Sequence, residues 1–197
     1  MTQANHAGEA NQVDGAAYRF DVKALRLATH GWLLGNPLVY KPGAADLTSI
    51  ARELAEAGSA SGTLVLGAAG AEGVEAILLL RLALSRAALG EASATAIADV
   101  AREASGGSCS VEERDGEWVV LTMDDARSTV IARVTLETEG GGTLLGLRLT
   151  FGALWEAGHD AGGALAAPLL ARSDWREVFL ARVLHALDIR LRALSPA

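Results

Sequence analysis

Apolar positions at Leu47, Ile50, Ala51 and Leu54 recur every three to four residues, with Arg52, Glu53 and Glu56 elsewhere. That spacing predicts a helix over 45–57, with Gly58 where a C′ glycine stands. Thr63-Leu64-Val65-Leu66 is a short apolar run that reads as a buried strand. The glycine-rich stretch Gly67–Gly73 follows. From Val74 to Leu89 the chain is apolar nearly all round, which predicts a central helix broken at Gly90, and 92–104 predicts another. Upstream, Tyr18, Phe20 and Val22 alternate with Arg19, Asp21 and Lys23 as in a strand, while Leu25 and Leu27 leave a helix open for residues 18–28.

The pattern changes after residue 107. Two strand-like runs, 108–114 and 117–123, flank Asp115-Gly116, a pair suited to a two-residue turn with positive φ at both positions. That turn sets Val111 opposite Val120 and Cys109 opposite Thr122. Asp124-Asp125 and Gly140-Gly141-Gly142 mark two further turns. Val130, Ala132, Val134 and Leu136 alternate with polar residues, and Leu145, Leu147, Leu149 and Phe151 do the same. The fold class expected is α+β: a four-stranded antiparallel meander over about 108–151, packed with a helical middle segment and a long C-terminal amphipathic helix. Ser173 suits the N-cap of that helix, and Leu180, Val183, Leu184, Leu187, Leu191 and Leu194 form its stripe. Residues 1–16 are polar and small and read as a disordered N-terminal tail, with 17–197 as one α+β domain.

Composition narrows the function classes. Net charge is −7 and no basic stripe is present, so no nucleic-acid partner is expected. The N-terminus lacks a basic and apolar leader, and no segment is apolar enough to insert in a membrane; a cytoplasmic location is expected. Of 17 basic residues only Lys23 and Lys41 are lysines, which with abundant alanine fits a high-GC bacterial genome. Cys109, the one cysteine, has no disulfide mate and no zinc spacing. His6, His30, His159 and His185 form no ligand pair of helical spacing, although His159-Asp160 adjoin. No nucleophile elbow or P-loop occurs, so neither catalytic residues nor a metal or cofactor is assigned.

Two constellations remain. Gly67, Gly70 and Gly73 are cofactor-binding candidates, because glycines between a strand and a helix let a pyrophosphate approach a helix N-terminus. The run Thr63-Leu-Val-Leu-Gly-Ala-Ala-Gly resembles the cofactor loop of medium-chain quinone reductases, which implies a nucleotide-dependent enzyme. Its glycines are spaced G-x-x-G-x-x-G, and Glu72 would repel phosphate. The partner-binding candidates are Trp118, Trp155 and Trp175, since tryptophan favours half-wet contact surfaces, together with Leu187 and Leu191 of the last stripe. Trp32, the fourth tryptophan, lies in a Gly/Pro loop. Acidic residues at Glu112, Glu113, Asp115 and Glu117 mark hairpin ends and discourage edge pairing.

The order helix, strand, helix, hairpin, further strands, helix, with the hairpin Arg114-Asp-Gly-Glu-Trp-Val-Val-Leu, resembles the roadblock family of small dimeric scaffolds. That resemblance implies a partner-binding module, often for small GTPases, without catalytic residues of its own. A hairpin mate after Leu66 is missing on this reading, and a strand over 143–151 is extra. The meander and last helix also resemble a helix-grip ligand binder, which implies a cavity between sheet and helix for a small molecule or lipid. The function expected is a non-catalytic protein-interaction module (adaptor, chaperone or regulatory scaffold, roadblock-like), partnered by another protein or by itself as a homodimer. The ligand-binding and nucleotide-dependent readings stand as alternatives.

Overall fold

A computed structural model of the chain describes residues 20–44, 46–69, 73–81, 84–124, 127–138, 144–152 and 174–194. The tail over 1–16, His6, Gly70, the Gly140–Gly142 turn, Trp155, His159-Asp160 and Ser173 lie outside these residues. The elements in chain order are α1 Val22–Ala28, β1 Leu38–Tyr40, α2 Leu47–Glu56, β2 Leu64–Ala69, β3 Gly73–Leu79, α3 Arg86–Ser105, β4 Ser108–Arg114, β5 Glu117–Asp124, β6 Arg127–Thr138, β7 Leu144–Phe151 and α4 Trp175–Leu194.

Among the described residues the sheet is seven-stranded and mixed, in the order β1-β2-β3-β7-β6-β5-β4. This corrects the four-stranded antiparallel meander. Strands β4 to β7 do follow one another antiparallel, but β3 pairs with β7 and carries the sheet on through β2 to β1. The β1–β2 pair is parallel, and the other pairs are antiparallel.

The difference lies at 74–89, where the apolar run predicts a helix. Residues 73–79 form strand β3, and the helix starts only at Arg86, where the Ser85 side chain accepts from the Ala88 amide. The physical reason is burial on both faces. Val74, Ala76 and Leu78 enter the main core, while Ile77 and Leu79 enter a second core under α2. A strand covered on both sides loses its alternation and reads as a continuous apolar run. β3 is also the hairpin mate of β2 that the sequence reading lacked.

Helices α1, α3 and α4 pack on one face of the sheet, which carries the main core; α2 packs on the other. Phe151 of β7 meets Phe179 of α4 edge-to-face at 6.0 Å between centroids. Residues 18–28, left open between strand and helix, resolve in their described part to α1, with the Asp21 side chain accepting from the Ala24 amide. The Asp115-Gly116 turn has φ 52 and 82, and the predicted register holds: Val111 pairs with Val120, Cys109 with Thr122. Two register shifts re-aim the long strands. One near Leu145 turns that residue to the α2 side, away from Leu147, Leu149 and Phe151. The other, between Val120 and Leu121 of β5, buries Ile131 of β6 and leaves Val130 half-exposed.

Asp46 caps α2. Its carboxylate accepts from the Ser49 hydroxyl at 2.5 Å and the Ser49 amide at 3.1 Å, and these bonds hold its pKa below the ordinary value, the hydroxyl first. A depressed carboxyl pKa stabilises the fold above the unfolded value, and the effect fades as pH falls through the folded one. Asp46→Ala is therefore expected to melt at a lower temperature than wild type at neutral pH. Thermal melts across an acid series should show that gap narrowing below the normal carboxylate range; a gap that is constant with pH contradicts the capping role.

Candidate interaction surface

The glycine candidates sit in an antiparallel hairpin. Gly67 lies in β2 opposite Glu75, and Gly73 begins β3 opposite Ala69. β3 therefore stands where the expected helix would begin, so the hairpin offers no helix N-terminus to hold a pyrophosphate. Gly67 has a packing role instead. A Cβ there would lie 2.8 Å from Leu47 Cδ1, so the missing side chain lets α2 approach the sheet.

Trp118 and Trp175 are buried in the main core, at 6% and 4% exposure, and so are Leu187 and Leu191 of α4, at 1% and 3%. The α4 stripe thus faces this chain's own sheet and helices, except for Leu194 at its end, which is 40% exposed. Trp118 packs over Gly90 of α3, where an added Cβ would lie 2.2 Å from the ring. This is why Gly90 sits inside the helix and does not break it. Burial pushes the Cys109 thiol up from its ordinary value, against a smaller opposite pull from Arg102, so it stays protonated at neutral pH. His30 is exposed just after α1. Among the described residues no three His, Cys, Asp or Glu side chains converge as metal ligands. No described helix is long and apolar enough to cross a membrane.

Two groupings went unread in the sequence. The first is a charge cluster on the α2 side of the sheet. Arg148 of β7 donates to Glu137 of β6 at 2.5 Å, to Glu75 of β3, and to the Thr48 hydroxyl at the start of α2. Burial pushes the Glu137 carboxyl up, opposed by Arg52 and Thr48, and burial also pulls the Arg148 guanidinium down. Both shifts run opposite to what ion pairing alone would produce, so desolvation outweighs attraction here. The paired geometry and the mutual saturation of these groups identify a cross-strand clamp that ties three strands to α2.

The second grouping is a trough of about 590 Å³ between α3 and α4. Val100, Ala186 and Ala193 line its apolar part, Asp99 and Glu103 stand on α3, and Arg182 and Arg190 on α4. Arg190 pairs with Asp99, and Asp99 with Arg102 at 2.7 Å. Ile189 belongs to the same trough and is 55% exposed. His185, also in the lining, stacks on the half-buried Trp32 at 4.9 Å between ring centroids. Ala186 and Ala193 of α4 let the trough form, since their side chains cannot fill it. The usable signal was Ile189 itself: it falls off the Leu187–Leu191 stripe, on the polar side of the helix.

No protein-family model matches the chain, and no curated protein matches it. Among solved structures the chain is similar to a biotin protein ligase-like protein of unknown function from Silicibacter sp. TM1040. The two are 15% identical with a TM-score of 0.48, over 82% of this chain and 80% of that one. At that distance the likeness carries no functional argument.

Proposed function

We propose that the chain is a non-catalytic protein-interaction module that receives an apolar side chain of a partner protein in the α3–α4 trough. The observation that supports this is Ile189, a large aliphatic residue half in water beside Val100, Ala186 and Ala193. An apolar centre with a polar rim is the anatomy of a protein contact patch. The rim carries both signs of charge, Glu103 and Arg182 being exposed, so it orients a partner without selecting for an acidic or basic one. Leu187 and Leu191 seat α4 from beneath, and the solvent side of the same helix does the binding.

Ile189→Glu tests this. The charge should abolish co-purification of the partner, with at least a tenfold loss in affinity, since a truncated or charged hot spot costs about 2 kcal/mol or more. The melting temperature should hold, because the side chain is half in water already. Leu27→Glu, at an exposed leucine on α1, is the control and should bind as wild type. Equal binding by both variants overturns the assignment.

A further inference from the structure

We infer that β4 pairs antiparallel with β4 of a second copy of this chain, about a two-fold axis through Val111, so that the two sheets run on as one. This goes beyond the trough reading and does not depend on it.

β4 is the last strand of the sheet, and among the described residues no strand pairs with its outer side. Parity decides which backbone groups are free there. The two-residue turn makes Arg114 and Glu117 a hydrogen-bonded pair, so residues 114, 112, 110 and 108 bond inward to β5. The N–H and C=O groups of Cys109, Val111 and Glu113 then point outward. Arg102 of α3 confirms the parity, since its guanidinium donates to the Cys109 carbonyl from that side at 3.1 Å. That carbonyl keeps a second lone pair for a strand partner.

Strand length and charge together then select the register. Val111 is the midpoint of the 108–114 strand, so a two-fold there pairs the whole strand and makes about six backbone hydrogen bonds. Val111 faces Val111, Cys109 faces Glu113, Ser110 faces Glu112, and Ser108 faces Arg114. No like charges stand directly opposite one another, so the acidic residues that discourage edge pairing in other registers are accommodated in this one. Centring on residue 112 or 113 would place glutamate directly on glutamate. The Ser110 hydroxyl is buried and has no hydrogen-bond partner among the described residues. In the chosen register it stands across from a carboxylate that can accept from it.

The helix behind the edge agrees. Gly90 packs on Trp118, which pairs with Glu113, so the start of α3 lies level with Glu113. Arg102 lies level with Cys109. Because Glu113 of one copy meets Cys109 of the other, Glu91 of one copy comes level with Arg102 of the other. Eleven residues are close to three full helical turns, so Glu91 and Arg102 project from the same side of α3. The two-fold therefore sets opposite charges against each other twice.

Oxidative cross-linking tests the register. Cα atoms of a hydrogen-bonded antiparallel pair are about 5.5 Å apart, which suits a disulfide. In a Cys109→Ser background, Val111→Cys should convert to covalent dimer under mild oxidation. Glu113→Cys should not, because its two copies sit about 13 Å apart along the strand in this register. Light scattering should give wild type twice the 20.3 kDa chain mass. Val111→Pro, which removes an outward N–H that no described residue accepts, should return it to one chain mass with an unchanged circular dichroism spectrum. A single chain mass for wild type, or cross-linking of Glu113→Cys as fast as Val111→Cys, overturns the inference. Ile189→Glu should leave the dimer intact, so failure of the trough reading and failure of this one are told apart.

Discussion

Gly90→Ala is expected to destabilise the fold by about 2 kcal/mol, although in an exposed helix the same change would stabilise it. Alanine is favoured over glycine inside a helix by about 1 kcal/mol. Here the new Cβ would lie 2.2 to 2.4 Å from three ring atoms of Trp118, a distance no relaxed contact reaches. Overpacking of a filled core costs about 3 kcal/mol at this severity. Trp118 cannot swing aside, since it is buried and held in register between Glu113 and Val134. The overlap term therefore exceeds the propensity term. Trp118→Leu alone should also destabilise, through the volume lost from the core. On that background Gly90→Ala should become neutral or mildly stabilising, because the ring that it collides with is gone. Urea unfolding of the four members of this cycle measures the coupling. If Gly90→Ala raises the midpoint in the wild-type background, the packing account is wrong.

Arg148→Ala is expected to cost about 2 kcal/mol at neutral pH, and less in acid. Glu75 and Glu137 then face one another across β7 without their shared cation. Breaking a fully buried pair costs more, but Arg148 keeps 27% of its side-chain surface in water, so solvent screens part of the loss. The pH dependence has a definite sign. Burial already pushes the Glu137 carboxyl up, and removing the Arg148 guanidinium paired with it takes away an opposing attraction. A carboxyl raised in the folded state destabilises it above the folded pKa, and this penalty disappears as pH falls to the unfolded value. The deficit of Arg148→Ala should accordingly shrink between neutral pH and the acid carboxylate range. A neutral triple variant, Glu75→Gln with Glu137→Gln and Arg148→Met, should recover most of the loss at neutral pH. A deficit that is the same at both pH values would show that Arg148 matters for its packing and not for its charge.

The residues behind these predictions differ in how visible they were. Gly90 showed in the sequence as a helix breaker, because propensity is local and the Trp118 ring arrives from 28 residues downstream. Arg148 showed only as one polar position in an alternating strand. Its partners come from β3, β6 and α2, and nothing in the sequence indicates that β3 lies beside β7. The α3–α4 trough depends likewise on which two helices meet. Ile189 could have been flagged as an aliphatic residue off the stripe, but the space beside it could not.

Where a segment has one wet face, the order of its residues settled its structure without help. The Asp115-Gly116 hairpin, its register and the Gly58 end of α2 follow from side-chain period and turn chemistry, which act over a few residues, whereas packing decided the bulges in β6 and β7 and the direction of the α4 stripe. Tertiary structure decided what happens where both faces are dry. The 73–79 run is a strand because β2 and β7 supply its hydrogen bonds while α2 and the main core cover its two sides. Apolar burial has no direction and hydrogen-bond partners can be distant in the chain, so such a run is compatible with helix or strand until its neighbours are in place.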